Sequence, residues 1–271
     1  MSREFGTPDF VKGGGGNTSC KTADTLWVKP SGTVLKDLTP ERFVPMSRAR
    51  LGELYTAPVP ADATAREAMV KDMMAAAVLP GQTGRPSVEA PLHDILSGAF
   101  VVHTHPALVN GLTCSRQGDA ACARLFPDAL WIPYVDPGFT LCMDVRRRLH
   151  GQRLVLLQNH GIFVAGDTPE EIRGTYRRVL DALKAEYRKA GVATRLQRTD
   201  VPAMPEPATP DHIVYALSAA KNPRLAAEMA QDSALVRQLA EAFGGLQLLD
   251  ERSQNFIKNW EVEFYRQKQV T

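Results

Sequence analysis

Two apolar runs in the chain end on histidine. Ala99-Phe100-Val101-Val102-His103-Thr104-His105 is rich in β-branched residues and stops at Pro106, the signature of a buried strand ending in polar residues. Leu154-Val155-Leu156-Leu157-Gln158-Asn159-His160-Gly161 repeats the pattern, so each predicted strand delivers a histidine at its end. A shorter strand is predicted over 25–29 and is broken by Pro30-Ser31-Gly32. Thr39-Pro40 offers a cap with proline in the first helical position and predicts a helix over about 40–54. Thr64-Ala65-Arg66-Glu67 reads as a capping box opening an Ala/Met-rich helix that runs to Leu79. Pro91 predicts a short helix ending near Leu96, with Glu89 at or before its entrance. Thr168-Pro169-Glu170-Glu171 starts a long helix of about 169–190, closed by Gly191.

Beyond that helix the pattern changes. Pro202, Pro205, Pro207 and Pro210 mark 195–210 as a connecting segment. Thr209-Pro210, Asn222-Pro223 and Asp250-Glu251 then start three further helices. The predicted organisation is an α/β domain over 1–194 and a helical C-terminal extension over 195–271. The amphipathic stretch Leu225 to Phe243 is expected to make packing or oligomer contacts, and Trp260 and Phe264 to cap the core.

Bulk properties narrow the function classes. With 271 residues, 44% hydrophobic and 23% charged, the chain has globular composition, and a formal charge of +2 provides no field for nucleic acid. There is no apolar run of membrane-spanning length and no signal-peptide pattern at Met1–Gly6, so a cytoplasmic location without membrane attachment is expected. Cys20, Cys114, Cys122 and Cys142 are dispersed without a CxxC and are expected to be buried free thiols.

The chemistry gathers on a few polar residues. In His103-Thr104-His105 the strand period of two places both imidazoles on one face, where they can share an ion. His160 completes a three-nitrogen set that leaves coordination positions open for substrate or water. Burying imidazoles at strand ends without partners is costly, which favours a metal. Glu89, brought near such a cation, could serve as a fourth ligand or as an acid/base. The Gly13–Gly16 run allows close backbone approach to a ligand, and Asn17, Ser19, Ser31, Gly32 and Ser87 are available donors for phosphate or sugar hydroxyls; a plain turn is the alternative. Neither a Walker A loop nor a dinucleotide fingerprint is present. His93, His150 and His212 have no spaced partner and read as structural or surface residues, with His93 a possible orienting group for a ligand. Tyr134 reads most simply as a core or interface aromatic.

Taken in order, Gly16-Asn17-Thr18-Ser19, Lys29-Pro30-Ser31-Gly32-Thr33, Ser87-Val88-Glu89, His103-Thr104-His105-Pro106 and Asn159-His160-Gly161 resemble the class II aldolase/adducin family over about residues 1–190. Pro91-Leu92-His93 and Pro133-Tyr134-Val135-Asp136-Pro137-Gly138 are most similar to the aldolase portion of rhamnulose-1-phosphate aldolase/dehydrogenase-type proteins. The resemblance implies a three-layer α/β/α sandwich with a central, mostly antiparallel sheet and assembly as a homotetramer. It implies a divalent metal, most often zinc, on His103, His105 and His160. It also implies proton shuttling by Glu89, a sugar or sugar phosphate held by Asn17, Ser31, Gly32 and Ser87, and a tyrosine, Tyr134 reaching across a subunit boundary, at the aldehyde oxygen. The implied reaction is reversible retro-aldol cleavage through an enediolate.

Two positions bear on that reading. Fuculose-phosphate-type members carry a second serine where this chain has Val88, which removes one hydroxyl from the phosphate cradle. Members acting as 4-epimerases tend to carry aspartate where Glu89 stands, which favours cleavage. A decarboxylase would use the same metal, whereas a non-haem iron oxygenase calls for two histidines and a carboxylate rather than H-x-H. An adducin-like interaction module without chemistry is the non-enzymatic alternative.

Overall fold

The computed structural model describes residues 1–197 and 201–262. Seven strands form one sheet: β1 (Asn17–Lys21), β2 (Thr25–Val28), β3 (Val44–Ser47), β4 (Phe100–Thr104), β5 (Leu130–Ile132), β6 (Leu154–Leu157) and β7 (Gly161–Gly166). Their order is β3-β2-β1-β4-β7-β6-β5, antiparallel throughout except for the parallel β5–β6 pair. The helices are α1 (Ser2–Phe5), α2 (Arg48–Leu54), α3 (Ala63–Ala77), α4 (Ala90–Ile95), α5 (Ala107–Thr113), α6 (Gly118–Leu125), α7 (Phe139–Arg148), α8 (Pro169–Lys189), α9 (Pro210–Leu217), α10 (Pro223–Ala240) and α11 (Glu251–Asn259).

The period-two alternation of the strands sorts the layers. Val102 of β4, Ile162 and Val164 of β7 and Leu154 and Leu156 of β6 share a core with Val109 and Leu112 of α5, Cys122 of α6 and Ile172, Tyr176, Val179 and Leu183 of α8. Their sequence neighbours Val101, Phe163, Ala165 and Val155 face the other way, onto Leu92 of α4 and Leu141, Cys142 and Val145 of α7. On that same side Leu26 and Val28 of β2 and Val44 and Met46 of β3 pack on α2 and α3. This is the three-layer sandwich with a mostly antiparallel sheet that was expected. The C-terminal helices add to it: α10 lies along α5, with Leu239 joining the α5/α8 core.

Several predicted elements need correction. The helix expected over 40–54 is a single 3-10 turn at Pro40–Arg42, then β3, then α2. Pro45 explains the difference, because a residue before proline avoids helical geometry and an edge strand tolerates the missing N–H. The 64–79 helix exists as α3, but its cap is Asp62, whose side chain accepts from the Ala65 N–H at 2.8 Å. The apolar run ending at His160 is β6 followed by a tight turn into β7, so this histidine sits in a turn. The long helix and the three C-terminal helices start on the caps read from sequence, with Thr168, Thr209, Asn222 and Asp250 each accepting an N–H three residues on. Trp260 is buried against Ile213, Val214 and Ile257, whereas Phe264 lies outside the described residues. The four cysteines are free, Cys114, Cys122 and Cys142 being buried. Among the described residues no helix is long and apolar enough to cross a membrane.

Candidate metal centre

The register of the central strands builds the site. Asn17 on β1 and Phe163 on β7 lie directly opposite His103 on β4, so all three side chains share one face of the sheet. The Phe163 ring stacks on the His103 imidazole with centroids 3.9 Å apart. Two residues on, His105 has left the strand, tied by its N–H to the Phe10 carbonyl at 2.9 Å. His160 is presented by the β6–β7 turn, where Asn159 holds a left-handed φ of 54°. Asparagine tolerates that region, and its side-chain amide anchors the turn by donating to the Ala208 and Gln247 carbonyls, each at 2.8 Å. Gly161 is required beside it: a Cβ there would lie 2.4 Å from the Thr104 carbonyl oxygen and 2.7 Å from the His105 ring.

One nitrogen from each of His103, His105 and His160 falls within a cluster whose members lie no more than 4.8 Å apart. The outward nitrogens are already committed. His103 donates from Nδ1 to the Ile162 carbonyl at 3.0 Å, and His105 Nδ1 faces the Asp211 carboxylate at 2.5 Å. Each of these imidazoles, when neutral, therefore turns a lone pair on Nε2 inward. The two Nε2 atoms are 2.8 Å apart, a contact that is repulsive between lone pairs unless a cation lies with them. Burial, then the neighbouring His105, holds His103 well below its ordinary pKa, and burial holds His160 down to about 3 against the opposing pull of Glu89. Neutral imidazoles are the metal-binding form.

Glu89, at the N-cap of α4, is 8% exposed. Its Oε2 accepts from Asn17 Nδ2 at 2.7 Å, while Oε1 has no hydrogen-bond partner and sits 3.4 Å from His103 Nε2 and 3.5 Å from His160 Nε2. A buried, unpartnered carboxylate oxygen beside the converging nitrogens of three imidazoles is chemically complete only with a cation or proton among them. The donor set thus fits a divalent ion held by three imidazoles, with Glu89 alongside.

Behind the carboxylate runs a buried chain. Ser19 donates to His93 Nδ1 at 2.7 Å, His93 donates from Nε2 to Asn17 Oδ1, and Asn17 Nδ2 reaches Glu89 and also Ser87 Oγ at 3.2 Å. Because Asn17 turns its oxygen to His93, its amide must point at Glu89. His93, fully buried, is the orienting group; His212 is also buried, paired with Asp232 at 3.2 Å, and His150 is exposed.

Asn17, Ser31, Gly32, Ser87, Glu89, His105 and His160 line one cavity, joined by Val88 and the buried Lys29, whose ammonium donates to the Gly14 carbonyl at 3.2 Å. Tyr134 is not among the lining residues; within the chain it packs against the cluster of Ile213, Val214, Leu249 and Trp260. Sequence reasoning passed over Lys29, Trp260 and Asp211 as site residues. Lys29 sits in a quoted motif and could have been found there, but Asp211 reads as an ordinary first-turn acid of a helix.

Residues 1–186 match the family model of the Class II Aldolase and Adducin N-terminal domain. YuxG of Bacillus subtilis (strain 168), named an uncharacterized oxidoreductase, is 32% identical over 171 residues, which are 58% of this chain and 24% of that protein. The match therefore spans about a quarter of that relative's length. The N-terminal class II aldolase domain of a conserved protein from Thermoplasma acidophilum superposes with a TM-score of 0.60 at 27% identity, over 68% of this chain and 89% of its own. YgbL of Escherichia coli, described by the alternatives aldolase, epimerase and decarboxylase, shares the fold with a TM-score of 0.50 at 19% identity, over 68% of this chain and 83% of its own. The matched residues carry the sheet and all three clustered histidines, and the chain belongs to the class II aldolase/adducin family.

Proposed function

We propose that the chain is a divalent-metal-dependent carbon–carbon lyase that cleaves a ketose, of the ketose 1-phosphate class, by reversible retro-aldol chemistry. The observation that carries this reading is the convergence of the His103, His105 and His160 ring nitrogens beside the unpartnered Glu89 Oε1. His103, His105 and His160 would hold the ion, and three nitrogens with an open fourth position suit zinc. When bound, the ion supplies Lewis-acid stabilisation of the negative charge that develops on the ketose oxygens as the bond breaks. Glu89 Oε1 returns and removes the proton at the adjacent carbon, held in place by Asn17 through Oε2. The Lys29 ammonium, the Ser31 and Ser87 hydroxyls and the Gly32 backbone supply charge and donors for the phosphate, and Val88 contributes only an apolar wall.

The test is to incubate purified, metal-quantified protein with ketose 1-phosphates, unphosphorylated ketoses and acidic sugars, with Glu89→Gln as control. Release of dihydroxyacetone phosphate and an aldehyde, lost in the variant, is the expected result. Carbon dioxide release from acidic sugars without aldol cleavage, or full cleavage by Glu89→Gln, contradicts the assignment.

A further inference from the structure

The residues matched by the family model end at 186, yet a side chain well beyond them reaches the histidine cluster. Asp211 stands in the first turn of α9, on Pro210-Asp211-His212, and points its Oδ2 at His105 Nδ1, 2.5 Å away. Both groups are largely out of solvent, with side-chain exposures of 6% and 10%. An acid in a first turn is ordinarily explained by the helix dipole. That account does not explain why the carboxylate is buried and turned onto an imidazole of the cluster.

Three further contacts hold α9 in place. Tyr215 accepts from the Gly14 N–H at 2.8 Å, Thr209 accepts from the His212 N–H at 3.3 Å, and His212 pairs with Asp232, which also receives Lys12 Nζ at 2.8 Å. Gly15 leaves room for the approach, since a Cβ there would lie 3.0 Å from Asp211 Oδ2. The glycine loop, α9 and α10 are therefore fixed together, with the Asp211 carboxylate lodged between the loop and His105.

We propose that Asp211 is a positioning residue of the metal centre: by accepting the Nδ1 proton of His105 it fixes the tautomer and ring orientation that present Nε2 to the ion. The C-terminal helices thereby complete a site whose ligands all lie in the preceding domain. The proposal rests on reading His103, His105 and His160 as a metal site. A carboxylate behind a ligating imidazole raises its basicity, and its removal typically weakens metal binding about 10- to 100-fold.

The test is Co²⁺ binding to the full chain, read by titration and by the visible spectrum of the bound ion, for wild type, Asp211→Ala and Asp232→Asn. Asp232→Asn loosens the same helix without touching His105. A loss of about 10- to 100-fold in Asp211→Ala, with little change in Asp232→Asn, is expected. ¹⁵N-histidine spectra of the metal-free protein should show His105 protonated on Nδ1 in wild type and shifted towards the other tautomer in the variant. If Asp211→Ala does not fold, Asp211→Leu carries the same comparison, because its side chain is similar in shape and cannot accept the Nδ1 proton. Wild-type affinity in the Asp211 variant, or an equal loss in Asp232→Asn, overturns the proposal. Absence of stoichiometric Co²⁺ binding by wild type overturns the metal reading itself.

Discussion

Replacing Glu89 by glutamine removes one buried charge and leaves the side-chain shape intact, so its effect on the metal-free protein can be worked from the site. At neutral pH His160 and His103 are uncharged, since burial holds both below their ordinary range, and Glu89 has no ion pair with either to lose. The amide oxygen can keep the bond from Asn17, weakened because the acceptor is no longer ionised. The amide nitrogen then occupies the place of the unpartnered Oε1 and faces the His103 Nε2 lone pair at 3.4 Å, with His160 Nε2 at 3.5 Å. Relieving an unsatisfied buried group is worth about 1–3 kcal/mol, against roughly 1 kcal/mol for weakening the Asn17 bond. Metal-free Glu89→Gln should therefore be as stable as wild type or up to about 2 kcal/mol more stable in urea unfolding at pH 7.5, while cleavage falls by about 10²- to 10⁴-fold. A carboxylate kept for function leaves that pair of signs. Destabilisation by more than about 1 kcal/mol would mean that Glu89 holds the fold together, and the reasoning would be wrong.

Other outcomes follow from the same geometry. The folded-state pKa of His160 is depressed to about 3, with His103 and His93 shifted the same way, so the unfolded chain binds more protons below about pH 6.5. Metal-free stability should be fully present above that pH and fall as pH drops from about 6.5 towards 3, by about 1.4 kcal/mol per pH unit for each proton; urea midpoints that stay flat from pH 7 to 5 would contradict this. Gly161→Ala forces a Cβ against the Thr104 carbonyl and the His105 ring, and should cost about 1–3 kcal/mol in urea unfolding together with a loss of metal affinity. Lys29→Met should raise KM for a ketose 1-phosphate by about 10- to 100-fold and leave an unphosphorylated ketose nearly unaffected, the size of a charge-assisted hydrogen bond; equal effects on both substrates would remove Lys29 from phosphate binding.

Much of the site was legible in sequence because its parts lie at punctuation points of the chain. The histidines follow apolar runs, Glu89 precedes a proline-initiated helix, and Thr168, Thr209, Asn222 and Asp250 announce their helices by capping chemistry. Most of what escaped had no local signal. β3 was hidden in an apparent helix start because an edge strand can carry Pro45. The turn between β6 and β7 did have a local signal, the polar Gln158-Asn159-His160 before Gly161 between two apolar runs, but reading the segment as one strand ending at His160 passed over it, and Asn159 there adopts a left-handed conformation. Asp211 is 106 residues from His105, and no pattern in sequence joins a first-turn acid to an imidazole that distant; only the packing of the C-terminal helices does. Tyr134, suggested by resemblance, is not among the residues that line the cavity within this chain; it packs against the cluster that holds Val214 and Trp260.

The account turns on a metal, and the most direct measurement is equilibrium dialysis of the purified chain against micromolar Zn²⁺ with elemental analysis, repeated for His103→Ala and His160→Ala. One ion per chain in wild type, and none retained in either variant, is the predicted result. Wild-type protein that retains no stoichiometric zinc or other divalent ion, or variants that keep it, would contradict the central claim.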